Sequence, residues 1–118
     1  MHMADALLSP AVGLTMAAAS AGALAYAARR VSAEKDDAKV PLMGVMGAFV
    51  FGAQMVNFTI PGTGSSGHLV GGTLLMILLG PWAAFIALTS VVVVQALFFA
   101  DGGLLAIGAN VWNMGVYS

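Results

Sequence analysis

All four basic residues of this chain, Arg29, Arg30, Lys35 and Lys39, fall inside one eleven-residue stretch, with long apolar runs on either side of it. A soluble domain needs charge spread over its surface, and roughly 25 % of its residues are charged. Here 8 % are charged and 60 % hydrophobic, with a mean hydropathy of +0.96. Such a chain is expected to fold with lipid as its solvent, as a single all-α membrane domain of packed transmembrane helices over its 118 residues. Residues 29–39 then read as a cytoplasmic loop under the positive-inside rule, which puts the N-terminal residues on the outer side of a multi-pass protein in the cell membrane. The same distribution leaves no basic patch for nucleic acid. The chain has no cysteine, which excludes thiolate metal ligation. A secretory signal carries its positive charge before the apolar run; here Arg29 and Arg30 follow it, so the first apolar segment is expected to be retained.

Helix punctuation divides the chain. Ser9 and Pro10 form a start signal, a capping hydroxyl followed by proline at the first helical position, for a helix over residues 10–30. Its small residues, Ala18 and Gly22, are expected to admit a neighbouring helix. Pro41 opens a second helix to about residue 58, in which Gly44, Ala48 and Gly52 recur every four residues, the spacing of tight packing in lipid. Gln54 and Asn57 share a face near its end, placed either for interhelical hydrogen bonds or for function. Residues 59–67 read as an outer glycine-rich loop. Gly62 and Gly67 have the glycine spacing of a P-loop, but His68 and Leu69 stand where that motif needs lysine and Ser/Thr, so nucleotide binding is not expected. The apolar run over 68–79 is too short to cross a core of roughly 30 Å. It is either a broken helix or one continuing with a kink through Gly80 and Pro81. A span from Pro81 to about residue 100 follows, interrupted in polarity by Gln95. Then come a turn at residues 101–103 and a last apolar segment with Asn110 and Asn113 on one face.

The two histidines carry the candidate chemistry. His2 follows a chain terminus directly, and a bulky second residue favours retention of Met1. The α-amine of Met1, the amide nitrogen of His2 and a ring nitrogen of His2 can close on one ion as two fused chelate rings, once the amide is deprotonated. Such nitrogen sets favour planar coordination, suited to Ni(II) or Cu(II), and His68 is available for the fourth corner. Counting crossings from an outer start returns the loop before His68 to the side of His2. The alternative is that both histidines are ordinary packing residues of a small structural or assembly subunit. No nucleophile and base pair is evident, so the chain is not expected to be an enzyme, and no catalytic cofactor is expected.

The opening MHMADALLSP, the segment PLMGVMGAFVFGAQMVNFTIPGTGSSGHLVGGTLLMILLGPWAAF and the segment VQALFFADGGLLAIGANVWNM resemble the substrate-binding membrane subunit of cobalt and nickel uptake transporters of the energy-coupling factor type. The resemblance covers essentially the whole chain. It implies a helical membrane fold with the N-terminus tucked into the bundle. It also implies capture of Ni(II) or Co(II), as transported ligand, by the amine of Met1, the amide and imidazole of His2 and the imidazole of His68. Asn57, Asn110 and Asn113 are candidates for supporting that shell; the turn at residues 101–103 with Asn110 and Asn113 reads equally as such support or as loop scaffold. The implied partners are a transmembrane coupling subunit and cytoplasmic ATPase subunits. Members of the family are nearly twice as long, with about seven helices, so this chain is expected to be the N-terminal part of a longer subunit.

Overall fold

Proline starts both long helices. At α1 (Pro10–Glu34) the Ser9 hydroxyl accepts a hydrogen bond from the Val12 amide at 3.3 Å, and Pro10 occupies the first turn, where its missing N–H costs nothing. At α4 (Pro81–Phe98) Pro81 plays the same part, after Gly80 at φ +82°. The computed structural model describes residues 2–118, and between and after these helices it places α2 (Lys39–Gln54), a hairpin of β1 (Asn57–Ile60) and β2 (Ser65–His68), α3 (Gly72–Leu79) and α5 (Ile107–Gly115). By length and composition α1 and α4 can each cross a membrane; α2, with 16 residues, is apolar but shorter.

Three boundaries differ from expectation. Residues 29–34, expected in a loop, continue α1, because Arg, Ala and Glu are good helix formers and no glycine or proline intervenes. The connection is residues 35–38, which starts with Lys35 in the left-handed conformation and is spanned by an ion pair between Lys39 and Glu34. The fold is mostly helical rather than all-α: α2 stops at Gln54, and the expected glycine-rich loop is an antiparallel hairpin in the register Asn57 to His68, Phe58 to Gly67, Thr59 to Ser66 and Ile60 to Ser65. Its turn, residues 61–64, contains Gly62 at φ +76° and Gly64 at φ +67°, conformations that glycine adopts without steric cost. At Gly67 the Phe58 ring lies across the backbone and leaves no room for a side chain. The short third helix ends at Leu79, and Gly80 breaks it from α4.

The core is organised on α4, against which α1, α2, α3 and α5 all pack. Ala83, Ala84, Ala87, Leu88 and Val92 are buried there with Val50, Leu75 and Met114. The close approach on α1 is made by Gly13, Ala17 and Ser20, not by Ala18 and Gly22, which face outward. A side chain at Gly108 would run into the Ala17 backbone, and the Ser20 hydroxyl donates to the Gly108 carbonyl at 2.8 Å across this crossing. On α2 the buried line is Gly47, Val50 and Gln54. Gly44 and Gly52 have no neighbour where a Cβ would stand, and Gly44, Ala48 and Phe51 line an open apolar groove of about 380 Å³ against α4.

Candidate metal site

The residues that precede α1, end α2, precede α3 and end α4 meet at one end of the bundle. The N-terminal segment is held there on two sides. On one, the Ser66 amide of β2 donates to the His2 carbonyl at 3.3 Å. On the other, Met3 exchanges two hydrogen bonds with the Asn110 side chain, its amide donating at 2.7 Å and its carbonyl accepting at 3.3 Å, and the Gly103 amide also donates to that carbonyl at 3.0 Å. Asp5 accepts from the Ala106 amide at 3.0 Å. Within the short segment before Ser9, His2, Met3 and Asp5 are thereby fixed into the fold by backbone and amide groups of distant segments.

This anchoring buries His2, which is 1 % exposed, and sets its ring against that of His68. His2 Nδ1 and His68 Nε2 lie 2.9 Å apart. Asp101 Oδ1 is 3.4 Å from His2 Nδ1 and accepts from the Ser66 hydroxyl at 2.8 Å. One ligand atom from each of His2, His68 and Asp101 falls within 4.8 Å of the others. Two nitrogens each about 2.0 Å from a metal ion and at right angles to one another stand about 2.8 Å apart, so the two histidines already have the separation of neighbouring corners. Gly102, at φ +94°, closes the back of the site: a Cβ there would meet His2 Cδ2 at 2.9 Å.

The proton on His68 is assigned by its neighbour. Nδ1 lies 2.8 Å from the Leu69 carbonyl, which can only accept, so Nδ1 carries the hydrogen and the Nε2 lone pair faces His2. Burial lowers the pKa of His2 to about 4, against the opposing pull of Asp101, and burial also lowers that of His68, against its backbone hydrogen bond. Both rings are therefore neutral at neutral pH, the form in which imidazole binds metals.

Of the residues singled out in the sequence, His2 and His68 are brought together, while Met1 lies outside the described residues. Asn110 positions the N-terminal segment through Met3. Asn57 is exposed and its amide donates to Asp101 Oδ2 at 3.4 Å. Asn113 is exposed on α5, away from the side of that helix that buries Asn110. Sequence reasoning missed Ser66 as part of the site and read Asp101 only within a turn that either supports the metal shell or scaffolds the loop, not as a candidate ligand. The available signal was rarity: Asp101 is the only acid after residue 37, in a chain with five.

A model of the cobalt uptake substrate-specific transmembrane region matches residues 2–118. The chain belongs to that family. A crystal structure of a truncated transition metal transporter superposes on this member with a TM-score of 0.89 at 45 % identity, over 98 % of this chain and 53 % of that one. A relative in Haloquadratum walsbyi is 44 % identical over 116 residues, 98 % of this chain and 53 % of its own length. The fused nickel transport protein of Rhodobacter capsulatus is 38 % identical over 116 residues, 98 % of this chain and 33 % of its own length. The chain thus spans about half the length, or less, of the relatives it matches. It is a membrane component of the cobalt and nickel transport family, with its histidines and Asp101 grouped where a metal could bind.

Proposed function

We propose that this chain is the metal-capturing part of the substrate-specific component of an ATP-driven, energy-coupling factor uptake transporter for Ni(II) or Co(II). The observation that carries the reading is the 2.9 Å approach of two neutral imidazoles, with a carboxylate beside them, directly behind the chain terminus. The ion is transported ligand rather than cofactor. Its nitrogen donors are the Met1 amine, the His2 amide and Nδ1, and His68 Nε2. Nδ1 is the ring nitrogen that can close a six-membered chelate with its own amide, and it is the one turned toward His68. Asp101, fixed by Ser66, offsets the charge of the ion from outside this nitrogen set. In this reading the chain is multi-pass, its N-terminus opens to the outer side among membrane lipid, and a transmembrane coupling subunit with cytoplasmic ATPase subunits supplies the energy. The chain itself is no enzyme.

Proton release tests the donor set. An α-amine has an ordinary pKa of about 8 and a peptide amide is protonated throughout the accessible range, so each Ni(II) bound displaces one proton from each. The imidazoles, already neutral, add none until the pH approaches their lowered values. Between about pH 6.5 and 7.5 the affinity for Ni(II), measured by titration of the detergent-purified chain, should fall about 100-fold for each unit of acidification. A pH-independent affinity, or a tenfold change per unit, would exclude an amine and amide pair.

A further inference from the structure

Three of the four nitrogen donors assigned above belong to two consecutive residues, the amine of Met1 and the amide and Nδ1 of His2, so their chelate is complete wherever the N-terminal segment lies. Only His68 comes from elsewhere in the fold. The place of the segment is set one residue further on. Asn110, 1 % exposed on α5, turns both ends of its amide to the backbone of Met3: Oδ1 accepts from the Met3 N–H at 2.7 Å, and Nδ2 donates to the Met3 carbonyl at 3.3 Å. A backbone N–H only donates and a carbonyl only accepts, so the orientation of the Asn110 amide is dictated. The side chain thereby stands in for a neighbouring strand, exchanging donor and acceptor with a single residue. The loop before α5 is fitted closely around this pair. A Cβ at Gly102 would meet Asn110 Nδ2 at 3.1 Å, and one at Gly103 would run into Asp5.

We propose that Asn110 is a register clamp, a positioning residue that decides which residue of the N-terminal segment is held and so sets the Met1–His2 chelate within reach of His68. It reads backbone, so it selects a distance from the chain terminus rather than the Met3 side chain. The neighbouring Ala4 is extended, at φ −81° and ψ 156°. In extended chain one residue spans roughly 3.3 Å, and successive N–H and C=O groups point to opposite sides. A slip that set His2 or Ala4 against Asn110 would turn their polar groups away from it. It would also carry the His2 ring by more than the 2.9 Å between its Nδ1 and His68 Nε2. The other anchors fix register less strictly: Ser66 and Gly103 each give one N–H, and Asp5 reaches the Ala106 amide through an exposed side chain. Among these anchors Asn110 alone supplies both donor and acceptor, and it does so from a helix packed on α1 and α4.

The clamp rests on the metal-capture reading above, and a double-mutant cycle separates the failure of one from the failure of the other. Ni(II) affinity is measured by titration of the detergent-purified chain for the wild type, Asn110→Leu, His68→Ala and the double variant. Leucine has the branched shape of asparagine and makes neither bond. Asn110→Leu should bind Ni(II) about 10–100-fold more weakly than the wild type. The double variant should bind as His68→Ala does, because without His68 there is no fourth donor to which the chelate can be delivered. A residue that only supported the fold would weaken binding by the same factor with and without His68. That additive result overturns the clamp alone, and so does unchanged affinity in Asn110→Leu. Binding by His68→Ala as tight as the wild type, or no binding in any form, defeats the capture reading and the clamp with it. Should Asn110→Leu fail to fold, one glycine inserted between His2 and Met3 gives a chain that keeps Asn110 and an intact local chelate but displaces it from His68. Its affinity should drop to that of His68→Ala; wild-type affinity there overturns the clamp.

Discussion

His2→Ala should weaken Ni(II) binding by on the order of 10³-fold, to the level of adventitious association. A closed four-donor site in a small metallopeptide is worth about 10–16 kcal/mol, which is about 2.5–4 kcal/mol per donor, and each 1.4 kcal/mol is a factor of ten. Losing this ring also opens the chelate that ties amide to imidazole. The substitution leaves the anchoring intact, because the Ser66 bond is made by the His2 carbonyl and the rest by Met3 and Asp5. Isothermal titration on the purified protein gives the affinity and a thermal melt without metal reports the fold. Unchanged affinity would favour the structural-subunit alternative, in which both histidines are packing residues. Loss of affinity together with collapse of the melt would mean that the ring is needed for folding and that the substitution cannot isolate its liganding role.

Gly108→Ala should destabilise the fold by about 2–3 kcal/mol, whereas Gly22→Ala should be neutral or slightly stabilising. At Gly108 an added Cβ meets the Ala17 backbone, which cannot move aside without shifting α1 and with it the Ser20 hydrogen bond. Overpacking of this kind costs about 1–3 kcal/mol. Nothing stands near Gly22, and alanine in a helix is favoured over glycine by roughly 0.5–1 kcal/mol. Comparison of denaturation midpoints in one detergent reads both. Equal effects at the two glycines would mean that α1 and α5 do not cross where they are placed.

These two glycines also mark how far the sequence was legible. Small residues at helical spacing announce that helices approach closely, but α1 carries alanine, serine and glycine on several faces. The face that packs is chosen by the partner, Gly108 on α5, rather than by α1. On α2 Gly44 and Ala48 line an open groove and nothing stands near Gly52, while the buried line is Gly47, Val50 and Gln54. The histidines were legible for a different reason: there are two of them, each stands beside a recognisable backbone feature, and their chemistry does not depend on packing details. The hairpin was not, because a run of Pro, Gly and Ser has weak strand propensity. The pairing is completed by a tertiary contact, the His2 carbonyl accepting from Ser66, which no local pattern reveals. Asp101 reads as part of a glycine turn that could equally support the site or scaffold a loop, and the fold lays it beside His2. Gln54 and Gln95 each read as a polar exception in an apolar helix, and only their meeting across α2 and α4 shows them to be one chain of hydrogen bonds.

The most direct test compares Ni(II) and Co(II) titrations of the detergent-purified chain beginning at Met1 with those of a chain carrying one added residue before Met1. The addition converts the terminal amine into an amide one residue away from its place and leaves His2, His68 and Asp101 untouched. Metal capture by the chain terminus predicts binding near one ion per chain for the native terminus, and loss of that binding on extension. Equal binding by the two forms, or none by either, would contradict it.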